Sequence, residues 1–339
     1  MRCLRYAGGA VNQELPYDLT IVTVCRNALH VLPRCIASIQ PVYRTPLRVE
    51  HLVVDGASTD GSVPFLWCQC HAGRITRFIS EPDAGIYHAM NKAIWLARGK
   101  VLVFINADDE LCPEAVVSCC APVLNGKAQY AVASALCVDG KRERELRPRC
   151  ERSLWRQPYC HQAMYCRRDL LVRMGGFDAD AFPIGADTDL MRRLYVARIS
   201  CEVVPEVAAR FHVGGASSAP ATGRDVFELL LKFAADCRLE VCRKPLLIHT
   251  IIKHLRRYAN KKMMLNPLEG VPQADAVRMA DFVRTVIEPL SVTRRLMLHT
   301  QLRFQRWWYA GLAHCSKGWK QQAARLNREI STLFTNCIY

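Results

Sequence analysis

The chain has 339 residues, half of them apolar and 23% charged, with a formal net charge of +15. That balance excludes global disorder, and the length suits one large α/β domain with or without a smaller appendage. Its longest apolar runs, such as 131–138 and 229–231, fall far short of the roughly 20 residues that span a bilayer. The start, Met1-Arg-Cys-Leu-Arg-Tyr, lacks the apolar core of a secretory leader. The expectation is a cytoplasmic protein, soluble or peripheral on the inner membrane.

The first 18 residues show no period and read as a lead-in. Leu19-Thr-Ile-Val-Thr-Val24 is a β-branched run and the first predicted strand, with Arg26-Asn27 as the turn after it. Helix is predicted over 29–39, closed near Pro41. A second strand over 49–54 runs into the turn Asp55-Gly-Ala-Ser-Thr-Asp-Gly61. Helix around 61–72, strand over 74–79 and helix over 85–98 follow, with Gly99 as the stop. Strand 100–105 ends on Asn106-Ala-Asp-Asp109.

Strands and helices alternating at this spacing predict a mostly parallel sheet covered on both faces. Beyond Cys112 the rhythm loosens. Helix is expected over 113–124, strand over 129–138, a basic loop over 140–152, and a mixed block over 161–199 ending in helix 187–196. From Asp225 onward the periodicity is helical only, broken near Pro245, Pro267, Pro272 and Pro289. This divides the chain into a lead-in (1–18), an α/β domain (19–222) and a basic helical region (223–339).

Seventeen cysteines are scattered without a paired CxxC framework, which reads as buried thiols in a reducing compartment rather than zinc ligands or disulfides. From Arg224 to the end there are 20 lysines and arginines against nine acids. An anionic membrane surface is the partner this region suits, because its cations interleave with Leu, Ile, Trp and Met; a merely solvated basic face is the alternative. Nucleic acid is not expected, since no finger, helix-turn-helix or RNA-binding signature accompanies the charge. Trp307-Trp308-Tyr309 suits either an interfacial belt or ordinary helix packing.

Polar clusters stand where strands end. Thr23, Arg26 and Asn27 follow the first strand, and Asp55, Ser58 and Asp60 the second. Asp83, Gly85, Asn91 and Lys92 surround a helix start able to face an anion. Asn106, Ala107, Asp108 and Asp109 follow the next strand. A parallel sheet brings such ends to one edge, where acids and free amides suit a divalent ion and a phosphorylated ligand. Asp60 and Asp83 suit helix capping equally well.

These clusters, in this order, resemble the family 2 glycosyltransferases over roughly residues 18–216. The resemblance rests on Thr20-Ile-Val-Thr-Val-Cys-Arg-Asn27, Val53-Val-Asp-Gly-Ala-Ser-Thr-Asp-Gly61, Glu81-Pro-Asp-Ala-Gly-Ile-Tyr-His-Ala-Met-Asn-Lys92 and Phe104-Ile-Asn-Ala-Asp-Asp-Glu110. Weaker support comes from Gly175-Gly-Phe-Asp178, Gly185-Ala-Asp-Thr-Asp-Leu190 and Phe211-His-Val-Gly-Gly-Ala-Ser217. It implies a GT-A type fold, a Rossmann-like, mostly parallel sheet flanked by helices, here with a helical C-terminal extension. It also implies an inverting transfer from a nucleoside-diphosphate sugar to a hydroxyl of a glycan or lipid-linked saccharide, as in members that build surface polysaccharides.

By the same resemblance Asp55 contacts the nucleotide base, and Asp108 with Asp109 holds Mg2+ or Mn2+ on the diphosphate. Asn106 stands where the family's Asp-x-Asp element has its first acid. The family's Glu-Asp pair is Ala186-Asp187 here, so the base role comes to Asp187 alone. His161, Gln162 and Asp189 are expected on the acceptor side, although a helix turns Asp189 about 200° from Asp187. Two rivals are an inactive, transferase-like binding module and a nucleotidyltransferase of the same fold. The second is disfavoured because no Gly-rich loop with a basic residue follows the first strand.

Overall fold

The computed structural model describes residues 16–150 and 157–215, together with Leu229 and Lys232. All the strands and helices considered below belong to one compact unit, Met1–Cys150 with Pro158–Ser218. The expected division near residue 222, the helical segments beyond it and Trp307–Tyr309 lie outside the described residues.

The first half is built by strand–helix alternation. Its strands are β1 (Tyr17–Cys25), β2 (Val49–Asp55), β3 (Arg77–Ser80) and β4 (Gly99–Phe104), and its helices α1 (Leu32–Ile39), α2 (Ser62–His71) and α3 (Ile86–Leu96). These strands pair in parallel in the order β3-β2-β1-β4. β2 is buried along its whole length, as expected of a strand covered on both faces. Pro41 does not stop the chain after α1, because its ring suits the start of a 3-10 turn over Gln40–Arg44. Gly99 does not close a helix but opens β4, where a Cβ would overlap the Leu19–Thr20 backbone of β1.

A buried carboxylate ties this half together at the end away from the strand-end turns. Glu50 is fully buried and accepts hydrogen bonds from Thr20 Oγ1 (2.6 Å), Arg77 Nε (2.9 Å) and the Arg98 amide (2.7 Å).

The second half is mixed. It comprises β5 (Glu110–Leu111), α4 (Val116–Leu124), β6 (Tyr130–Asp139), β7 (Arg142–Leu146), β8 (Met164–Arg167), α5 (Arg168–Arg173), α6 (Ala186–Val196) and β9 (Cys201–His212). The sheet continues from β4 through β8, β6 and β9 to β5, with β7 beside β6. β8 runs antiparallel to both β4 and β6, whereas β9 runs parallel to β6. The basic loop expected over 140–152 is in part strand. Arg142–Leu146 pairs through its backbone with β6 and leaves its charged side chains exposed. An apolar cluster spans both halves, joining Leu19, Ile21, Val101 and Val103 to Ala131, Ala133 and Tyr165.

Candidate active site

The register of the parallel half puts Cys25, Asp55 and Ser80 level with one another at a single edge. Asp55 is fully buried there. Its Oδ2 accepts from the Ser58 amide (2.9 Å) and from Ser80 Oγ (2.7 Å), and its Oδ1 accepts from Ser58 Oγ. The carboxylate therefore locks the 55–58 turn instead of lying open at the edge. Ser80 escaped the sequence analysis because a serine ending a four-residue strand carries no pattern.

The turn above Asp55 is clamped from both sides. Asn27, in the left-handed region at φ 50°, donates its amide to Ser58 Oγ (2.7 Å) and accepts from the Thr59 amide (2.8 Å). Asp60 accepts from the Leu29 amide (2.9 Å), the Ser62 amide (3.0 Å) and Ser62 Oγ (2.6 Å). These bonds, the Ser62 hydroxyl first, hold its carboxyl below the usual range. Asp60 thus braces the turn that leads into α2, whose cap position is Gly61. Ala57 is also left-handed at φ 58°, a conformation that costs a residue with a Cβ about 1 kcal/mol or more.

Thr23, expected at the edge, is instead fully buried below it. Its hydroxyl lies 3.0 Å from His51 Nε2, because the alternation of β1 turns residue 23 toward α1. His51 is a core histidine, and burial pushes its pKa down to about 4.

Arg26 and Asp83 flank Gly56, where a Cβ would meet Asp83 Oδ2 at 2.6 Å and Arg26 Cδ at 3.3 Å. Glycine thus lets a carboxylate and an arginine stem close over bare backbone. Asp83 Oδ1 accepts from the Gly85 amide (3.0 Å), and Gly85 enters α3 at φ 143°. Asn91 donates to the Phe177 carbonyl (2.7 Å) and accepts from the Phe177 amide (2.8 Å), a clamp on the 176–177 turn. Lys92 pairs with Glu81 at 2.6 Å.

The loop after β4 separates the acids expected to hold a metal. Asp109 is 1% exposed and has both oxygens occupied, one by Gln162 Nε2 and the other by the His212 amide (2.9 Å). Burial, aided by the neighbouring Asp108 charge, pushes its pKa up to about 7. In this structure Asp109 therefore ties the loop after β4 to the 161–163 turn and β9. Among the described residues no three His, Cys, Asp or Glu side chains gather as a metal-holding group.

Asp108 is different. Its carboxylate makes no hydrogen bond among the described residues and sits where a Cβ on Gly215 would overlap it. Its carbonyl accepts from Arg34 Nη2 (2.6 Å), an α1 residue that the sequence analysis missed. One free carboxylate fits a hard cation that reaches the site together with phosphate oxygens, a common arrangement for Mg2+.

On the other side, Asp187 lies in the first turn of α6 and is buried. Its Oδ1 accepts from the Thr188 amide (2.6 Å) and its Oδ2 lies 3.2 Å from His161 Nδ1. Burial alone would raise its carboxyl, but His161, the Thr188 amide and the Tyr87 hydroxyl outweigh it and hold the group below the usual carboxylate range. His161 Nε2 lies 3.5 Å from Asn106 Nδ2. One imidazole therefore connects the loop after β4 to the helix carrying Asp187.

Gln162 faces Asp109, and Asp189 pairs with Arg193 Nε (2.7 Å). Arg193 in turn holds the Met174 and Gly176 carbonyls, so its pairing with Asp189 braces α6. His212, singled out only within a motif, pairs with Glu110 at 2.7 Å.

The described residues thus form an open α/β sheet with acidic turns along one edge, extended by a mixed sheet bearing an Asp–His pair. Residues 20–178 match the family model described as glycosyl transferase family 2. An "uncharacterized glycosyltransferase" of Mycobacterium tuberculosis is 32% identical over 192 residues, 55% of this chain and 71% of that protein. The chain belongs to glycosyl transferase family 2. A PGL/p-HBAD biosynthesis glycosyltransferase of Mycobacterium bovis is 28% identical over 191 residues, 52% of this chain and 69% of its own. In fold the chain resembles S. aureus TarS 1–349, solved in complex with UDP-GlcNAc. The TM-score is 0.59 at 16% identity, covering 83% of this chain and 86% of that one. The fold is of the GT-A type.

Proposed function

We propose that this glycosyltransferase is inverting, and that it moves a hexosyl unit from a nucleoside-diphosphate donor to a hydroxyl of a glycan or lipid-linked saccharide in surface polysaccharide synthesis. The observation that carries this reading is the contact of His161 with both Asn106 and Asp187. It brings the donor-side strand end and an acid–base pair to one place. TarS, with the same fold, is solved with UDP-GlcNAc, which supports a nucleotide-sugar donor here.

In this reading Arg26 and Asp83, closing over Gly56, receive the nucleoside on a turn that Asp55, Asn27 and Asp60 keep rigid. Lys92 and the start of α3 face the phosphates. Asp108 would hold Mg2+ or Mn2+, an ion that would supply positive charge against the departing diphosphate. The acceptor oxygen attacks the anomeric carbon from the face opposite the diphosphate, and the proton it sheds passes to the Asp187–His161 pair. The basic third, outside the described residues, holds the enzyme peripherally on an anionic membrane face. Its 20 cations against nine acids support that placement.

A panel of nucleoside-diphosphate sugars, with and without Mn2+, tests the reading on the full chain. The expected result is thermal stabilisation by one donor and slow release of its nucleoside diphosphate. Stabilisation without any release would favour the inactive binding module, and no stabilisation by any donor would overturn the reading.

A further inference from the structure

Asp187 and His161 form one unit, yet their free valences differ. Asp187 is buried with both oxygens engaged, Oδ1 by the Thr188 amide and hydroxyl (2.6 and 3.3 Å) and Oδ2 by His161 Nδ1 (3.2 Å). A carboxylate so saturated is a weak acceptor for one more proton. Because Nδ1 faces a carboxylate, it carries the ring's hydrogen. The lone pair of the neutral ring then sits on Nε2. That nitrogen meets only a long contact, 3.5 Å, with the Asn106 amide.

We propose that His161 takes the proton from the acceptor hydroxyl, with Asp187 and Asn106 as its positioning residues; this rests on the transferase reading above. The acceptor O–H bond breaks as its oxygen bonds to the anomeric carbon, and the proton passes to Nε2. The bond from that carbon to the diphosphate oxygen breaks, and its electron pair leaves with the nucleoside diphosphate. The resulting imidazolium is held against Asp187, as a carboxylate paired to an imidazole can hold it.

Asn106 accounts for both states of the ring. With Nε2 unprotonated, the Asn106 NH2 faces it and Oδ1 is left buried with no partner among the described residues. A half-turn of the amide presents Oδ1 to Nε2–H once the ring is charged, and satisfies that orphan. An aspartate at 106, as in the family's usual element, would instead place the ring between two carboxylates and favour its charged form, leaving less of the neutral base at a given pH. The two departures from the family pattern, Asn106 and Ala186, thus belong to one arrangement. The charged groups facing the ring are Asp187 of α6 and Asp109 of the loop after β4. The Cys160 thiol next to it is kept protonated, by burial first and then by those carboxylates.

The test uses the full chain labelled with 15N-histidine and, separately, the donor that turns over in the panel above. Long-range 1H–15N spectra of the unliganded protein should show His161 as the Nδ1–H tautomer, assigned by its loss in His161→Gln, and Asp187→Asn should redistribute that tautomer. Turnover should fall about 10²- to 10⁴-fold in His161→Gln, with thermal unfolding used to check that the variant folds. Asn106→Asp should move the acidic limb of the pH–rate profile upward by on the order of one pH unit. A His161 ring found as Nε2–H would overturn the proposal. So would a folded His161→Gln variant that keeps full turnover while Asp187→Asn loses it, because Asp187 would then be the base. If no donor turns over, the transferase reading fails and the proposal falls with it, whichever tautomer the spectra show.

Discussion

The parallel half of the sheet, Tyr17–Phe104, and the mixed half, Glu110–His212, use their acids differently. In the parallel half the strand-end acids mostly shape backbone. Asp55 locks a turn, and Asp60 and Asp83 brace the turns that lead into α2 and α3. The mixed half and the loop leading into it hold side chain against side chain. His161 meets Asp187, Gln162 meets Asp109 and Asp189 meets Arg193. In the proposed reading the first half is the rim that receives a ligand, and the second brings in groups able to exchange protons. An edge formed by the parallel strands alone would bind without the means to move a proton.

The largest expected effect that separates the halves lies far from the chemistry. Glu50→Ala leaves Arg77 without its carboxylate, with only the Leu96 carbonyl as acceptor, and strips Thr20 and the Arg98 amide of theirs. Breaking one partner out of a buried pair costs about 3–5 kcal/mol. Urea denaturation should show that loss, while the NMR signature of the His161 ring stays as in the parent chain. A stability within 1 kcal/mol of the parent would mean that Glu50 does not tie the parallel half.

A smaller, pH-dependent effect marks the junction. Asp109 is pushed up to about 7 in the folded chain, chiefly by burial. Between about pH 4 and 7 the folded state therefore keeps a proton that the unfolded chain releases. Stability is full below that window and falls as pH rises through it, by at most about 1.4 kcal/mol for each pH unit. Asp109→Asn should remove this slope. Equal slopes for the two proteins in urea titrations from pH 4.5 to 8 would contradict the assignment.

How much was legible follows the same division. Leu19–Val24, 49–54 and 100–105 are largely apolar runs of strands, and α1 and α3 show a clear helical period, so the parallel half could be read locally. β7 could not, since Arg-Glu-Arg-Glu-Leu on an exposed strand looks like a solvated loop. β8 has only four residues, and β9 carries Pro205 and two glutamates, so neither offers the alternation of a half-buried strand. At the site, the strand-end residues were visible as motifs, but their partners were not. His161 lies 55 residues from Asn106, and no local pattern encodes that meeting. The partners of Thr23 and Asp109, which are His51, Gln162 and His212, were hidden for the same reason.

The central claim is that the parallel half binds the donor while the mixed half handles the proton. Its most direct test measures nucleoside-diphosphate affinity and donor turnover side by side in Asp187→Asn. The account predicts affinity within about threefold of the parent, less than 1 kcal/mol, and turnover reduced by about 10²-fold or more. Loss of nucleotide binding, or turnover that survives the substitution, would contradict it.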